Sequence, residues 1–195
     1  MQKLNSQQFY ALSGTVRPTF KTAINRQEAA LSFGIGHKLA GGIFLDLDVI
    51  AWRLTDELTP AFGRKLAAAL IKGFSDVWCE AVSNADRLPE PIFLVVVEQG
   101  HKLQGGMRAT YEGVNVGQAT MAEFAKASVK AKMVPKRITL VNVNAVLATI
   151  RSKAADIGFN LSAPFIVMDD PLFIQAREEA RKSREARVAR IGARP

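Results

Sequence analysis

"NSQQFYALSGTVRPTFKTAINRQ", residues 5–27, decides how the amino-terminal part of the chain folds. Asn5-Ser6 offers a helix cap, because a short side-chain oxygen can accept an orphan amide proton of the first turn. The segment then runs through Phe9 and Leu12 and stops at Ser13-Gly14. It restarts at Arg17-Pro18, where proline is tolerated in a first helical turn, and Phe20, Ala23 and Ile24 follow at the spacing of one buried face. Two short helices joined by a glycine-containing turn are expected. Arg17 cannot cap the second, so Thr15 is the expected cap. The outward face of that second helix carries Arg17, Thr19, Lys21, Thr22, Asn25 and Arg26, groups that reach phosphates and base edges.

Reading outward, "LSFGIGHKLAGGIFLDL" (31–47) places two apolar runs around a glycine-rich tip and predicts a β-hairpin. "DLDVIAWRLTDEL" (46–58) then predicts a helix capped by Asp46 or Asp48, with Ile50, Leu54 and Leu58 on one face. Helix, turn, helix, hairpin, helix is the order of a winged helix-turn-helix. On "FYALSGTVRPTFKTAINR", "LSFGIGHKLAGGIFLDL" and "LDVIAWRLTDEL" the first 60 or so residues resemble the DNA-binding domain of the MerR-type family. The resemblance implies a recognition helix around 17–26 in the major groove and a wing whose tip, His37 and Lys38, meets the DNA backbone. Two departures stand out: Arg17 occupies the place of the family's small polar residue before proline, and the family's carboxy-terminal coiled coil with sensing cysteines is missing.

Beyond this unit, "TPAFGRKLAAALIKGFSDVWCEAVSNAD" (59–86) has a cap and proline at Thr59-Pro60. Phe62, Leu66, Leu70, Phe74 and Trp78 then recur every four residues, which predicts one long helix. Its stripe would pack on the winged unit or form a dimer interface. "SNADRLPEP" marks a boundary. After it, strands are expected in "PIFLVVVEQ" and "MRATYEGVNV", a helix in "GQATMAEFAKASVKAKM" ended by Pro135, a strand in "RITLVNV", and a helix in "NAVLATIRSKAADIG" capped by Asn144 and closed by Gly158. The fold class is therefore α+β: an amino-terminal winged helix-turn-helix, a long helix, and a small β-β-α-β-α domain. The expected division is 1–85, 90–168 for dimerisation or a second DNA contact, and a basic carboxy-terminal arm or helix at 169–195.

Charge bears on function. The chain carries 26 Lys+Arg against 18 Asp+Glu, a net charge of +8 and a pI near 9.9, which suits a polyanionic partner. The basicity is patchy. Residues 1–42 hold five cations against Glu28 alone, and Lys126, Lys130, Lys132, Lys136 and Arg137 come with no acid between them. Those five, with His101 and Lys102, form a candidate second nucleic-acid contact. Both histidines sit in a repeated heptapeptide, "GHKLAGG" (36–42) and "GHKLQGG" (100–106). Either similar hairpin tips use similar residues, or each tip is a wing whose lysine approaches phosphate.

Other classes are set aside. Two histidines and one cysteine make no zinc-ligand cluster or disulfide framework, so neither a metal nor a cofactor is expected, and Cys79 in an apolar helix reads as buried filler. No phosphate-loop, serine-elbow or dinucleotide motif is present, and catalysis is not expected. The amino terminus lacks a signal-peptide run, and no stretch approaches the ~18 apolar residues of a membrane span. A cytoplasmic, dimeric, sequence-specific binder of double-stranded DNA is the expectation, most simply a transcriptional regulator. The alternatives are an architectural or recombination-directionality protein, or a protein-interaction module whose charge is incidental.

Overall fold

Asn5 does cap the first helix, and it does so reciprocally. In the computed structural model, which describes residues 2–31, 44–100, 111–130, 135–161, Phe165 and Ile174, the Asn5 side chain accepts from the Gln8 amide at 2.9 Å and the Gln8 side chain accepts from the Asn5 amide at 2.9 Å. Helix α1 (Ser6–Ser13) follows and ends where Gly14 takes a left-handed φ of 72°. After a three-residue turn, α2 (Arg17–Asn25) begins. Its cap position is Val16, with no side-chain cap, and not Thr15 as expected: the Thr15 amide instead donates to the Ser13 hydroxyl. Gln27, at φ 57°, terminates α2 and lets the Glu28 amide return to the Ala23 carbonyl at 2.7 Å.

Strand β1 (Lys3–Leu4) pairs antiparallel with β2 (Phe44–Leu45), Lys3 opposite Leu45. The hairpin expected over 31–47 is thus described only at its outgoing end, residues 32–43 lying outside the described residues. The partner found for that end is the chain's amino-terminal segment, whose two residues are too few to give a periodic signal. Helix α3 (Asp46–Phe62) has Leu45 at its cap position, so the expectation of Asp46 or Asp48 as cap is corrected. Both aspartates sit inside the first turn. Asp48 accepts from the Leu45 amide at 2.9 Å, and Asp46 accepts from the amides of Gln2 at 3.1 Å and Leu47 at 2.9 Å, joining the strand pair to the helix. Asp46 is buried, and burial pushes its carboxyl above the ordinary aspartate range against the pull of those hydrogen bonds.

The single long helix is also corrected. Helix α3 runs through Pro60, with Thr55 and Thr59 donating their hydroxyls back to the carbonyls of Ala51 and Thr55. It breaks at Gly63, whose φ of 72° only glycine adopts readily. Helix α4 (Arg64–Gly73) and helix α5 (Ser75–Arg87) follow, separated at Phe74. The four-residue stripe therefore never forms one face: Leu66 is exposed, whereas Trp78 is buried and donates its indole proton to the Ile71 carbonyl at 2.9 Å, folding α5 back on α4.

The β-β-α-β-α order expected downstream is present as β3 (Ile92–Gly100), β4 (Tyr111–Thr120), α6 (Met121–Lys130), β5 (Pro135–Asn142) and α7 (Val143–Asp156). The three strands form an antiparallel sheet in the order β4-β3-β5, with Leu94 opposite both Gln118 and Val141. Pro135 starts β5. Helix α7 is capped by Asn142, which accepts from the Ala145 amide, and not by Asn144. Asn144 instead accepts from the Ile92 amide at 2.8 Å and donates to the Ala85 carbonyl at 3.0 Å, fixing the start of β3 against the end of α5. Gly158 does lie just past the helix, at φ 64°.

Alternation places Ile92, Leu94 and Val96 on the inner sheet face, under α5 and α7. One buried cluster contains these residues, Val146 and Ile150 of α7, and Phe9, Leu12 and Trp52 of the amino-terminal helices. The segments on either side of the predicted boundary thus share a core. Cys79 is buried within it.

Candidate nucleic-acid interface

Helix α2 is built as an outward-facing element. Only Phe20 and Ala23 are buried, and Phe20 enters an aromatic cluster that fixes the helix in place. Its ring lies 5.2 Å from Phe9, 5.7 Å from Tyr10, 5.6 Å from Phe44 and 5.5 Å from Trp52, centroid to centroid. Phe9 stacks on Phe44 at 4.2 Å. Four elements, α1, α2, β2 and α3, therefore meet on one ring system. Edge-to-face packing of this kind adds about 0.5–1.5 kcal/mol per pair beyond area burial.

The remaining face of α2 is exposed at Arg17, Thr19, Lys21, Thr22, Asn25 and Arg26, the six residues that the sequence pattern points to. Arg17, Lys21 and Asn25 stand four residues apart and so form one stripe along the helix. The Thr22 hydroxyl donates to the Pro18 carbonyl at 3.0 Å, so its oxygen can still accept a further hydrogen bond. Arg26 sits at the carboxyl end, where its charge complements the helix dipole. No acidic side chain occurs in α2. The arrangement can donate several charge-assisted hydrogen bonds to an anionic surface.

The other expected contacts divide. His37 and Lys38, His101 and Lys102, and Lys132 lie outside the described residues. The second heptapeptide falls in the connection of the paired strands β3 and β4, so its expected setting between two strands holds. Lys126 is exposed on α6, Lys130 closes that helix, and Lys136 is exposed on β5. Arg137 is committed elsewhere: it donates to the Ala61 carbonyl, pairs with Glu98 through Nε at 3.4 Å, and lies 5.4 Å from the centroid of the Phe62 ring. That arginine fastens β5 to the end of α3.

The turn between α1 and α2 gathers groups that no sequence pattern singles out. Lys153 of α7 brings its ammonium against Gly14, and Arg53 of α3 reaches the same place. Arg64 pairs with Asp56 at 2.6 Å and lies 4.3 Å over the Trp52 ring. Burial, and then the neighbouring Arg53, hold the Lys153 ammonium below the ordinary lysine range, with Asp56 pulling the other way. Nothing in sequence spacing links residues 14, 53 and 153, so only the packing of α1 against α3 and α7 could reveal the cluster.

Among the described residues no group of three or more His, Cys, Asp or Glu could hold a metal ion, and no helix is long and apolar enough to cross a membrane. No family model and no curated protein matches this sequence significantly.

Proposed function

We propose that this chain binds double-stranded DNA sequence-specifically and acts as a transcriptional regulator, with α2 lying in the major groove. The observation that carries the reading is the exposed, acid-free face of α2, presented on a two-helix unit whose orientation the Phe9, Phe20, Phe44 and Trp52 rings fix. Rigid placement matters because base readout demands hydrogen-bond geometry, whereas a loose basic arm yields only salt-dependent, sequence-blind affinity. The resemblance of the first 60 residues to MerR-type domains supports the same helix as the reader, with His37 and Lys38 as wing contacts. Binding as a symmetric dimer in the cytoplasm completes the proposal, since two linked half-sites raise both affinity and specificity.

Selection of bound fragments from random DNA at about 150 mM salt tests it, because that ionic strength weakens purely electrostatic association. One enriched motif, favoured over random DNA by ~10³ or more and abolished in an Arg17→Ala/Lys21→Ala/Arg26→Ala variant, is the expected result. Binding without enrichment would overturn base readout and leave an architectural role. An absence of DNA binding would redirect the search to an acidic protein partner.

A further inference from the structure

Gly14 closes α1 in a left-handed conformation, and a Cβ placed there would collide with the Lys153 ammonium and lie 3.7 Å from Nη1 of Arg53. Two cations from different helices are thus held at one point of the turn. Neither makes an ion pair among the described residues, and Nε of Arg53 is buried without a hydrogen-bond partner. The Thr15 hydroxyl, one residue along the same turn, is also buried and unpartnered. One helical turn further on α3, Asp56 engages a single nitrogen of Arg64, whose Nε and Nη2 are likewise buried without partners. Three cations, Arg53, Arg64 and Lys153, thus gather around Asp56, which pairs with Arg64 and attracts Lys153. The carboxyl end of α1 offsets only about half a charge. Like charges this close, together with buried donors lacking acceptors, make an anion the natural complement of the site.

We propose that the turn joining α1 and α2 binds a phosphate group, gripped by the Lys153 ammonium and the Arg53 guanidinium, with the Thr15 hydroxyl donating a third hydrogen bond. Phosphate is the matching anion because its several acceptor oxygens can serve an ammonium, a guanidinium and a hydroxyl at once. The inference goes beyond the DNA reading and does not depend on it, since the turn is distinct from the α2 face.

Titration of the isotopically labelled full chain with inorganic phosphate, at ionic strength held constant with chloride, tests the site by the amide signals of Gly14 and Thr15. Saturable shifts that chloride does not produce are expected, and Lys153→Met should weaken phosphate binding about ten-fold or more by removing a charge-assisted bond. Arg53→Gln should do the same and serves if Lys153→Met misfolds, whereas Lys126→Met on α6 should change nothing. Absence of saturable shifts, or an affinity in both site variants unchanged from that of the unsubstituted chain, would overturn the proposal. A repeat with saturating duplex DNA identifies the source: displaced phosphate means that a backbone phosphate fills the site, and undisturbed phosphate means a free phosphate-bearing ligand. A chain that binds phosphate but no DNA would refute the DNA reading alone.

Discussion

Phe20→Ala probes the way α2 is held. Phe20 is 8% exposed and packs against four other rings, while Ala23 is the helix's only other buried residue. Truncating a buried phenylalanine costs about 3–5 kcal/mol, from forfeited transfer energy plus the cavity left behind. In a chain of this size a cost of about 1 kcal/mol lowers the unfolding midpoint by about 2–4 °C, so a fall of about 6–20 °C is expected. The damage should also be local. Because the other apolar residues of α2 are the small Ala23 and the only partly buried Ile24, its amides should lose hydrogen-exchange protection well before those of Val146, Leu147 and Ile150, which belong to α7 in the shared core. Circular dichroism melting and amide exchange on the same variant measure both parts. A fall of less than about 2 °C would refute the claim that the aromatic cluster fixes α2. Equal loss of protection in α2 and α7 would refute its local character.

Three further outcomes are expected. Gly14→Ala should cost about 1–2 kcal/mol for its left-handed φ, and in a Lys153→Ala background only that backbone cost should remain, as a double-mutant cycle by denaturant unfolding would show. Asp46 has its carboxyl pKa raised by burial, so between the unfolded value of 3.8 and the folded one the native state binds more protons, and stability falls as pH rises through that window; Asp46→Asn should remove this component from a pH series of melting curves. The Arg17→Ala/Lys21→Ala/Arg26→Ala variant should lower the slope of log affinity against log salt by about 2–3, close to ~0.9 for each DNA phosphate left unneutralised, in fluorescence anisotropy titrations.

Much of the secondary structure is legible in the sequence because it rests on local chemistry. Asn5, Gly14 and Pro18 mark helix ends through side-chain capping, positive φ and a missing donor, and each acts where expected. The alternation of Ile92, Leu94 and Val96 is likewise a two-residue signal that survives into the sheet. Legibility ends where two local signals compete. Asn142 and Asn144 both suit a helix cap, and only the nearness of Ile92 and Ala85 decides that Asn144 serves tertiary packing. The stripe Phe62, Leu66, Leu70, Phe74, Trp78 is a genuine period of four, yet Gly63 and the irregular Phe74 break it, and Trp78 closes onto the preceding helix. The exposed face of α2 can be read because it is the complement of the inward face formed by Phe20, Ala23 and Ile24. The Gly14, Arg53, Lys153 cluster cannot, since residues 39 and 100 positions apart meet only through helix packing.

Helix α2 is proposed to read DNA with its outer face. Amide chemical-shift mapping of the full chain against its best selected duplex addresses it most directly. The largest, stoichiometric perturbations are expected across residues 17–26, with few changes on the inner strand β3. Perturbations confined to α6 or β5 with α2 unchanged would contradict it, as would fast-exchanging shifts that are the same for any duplex.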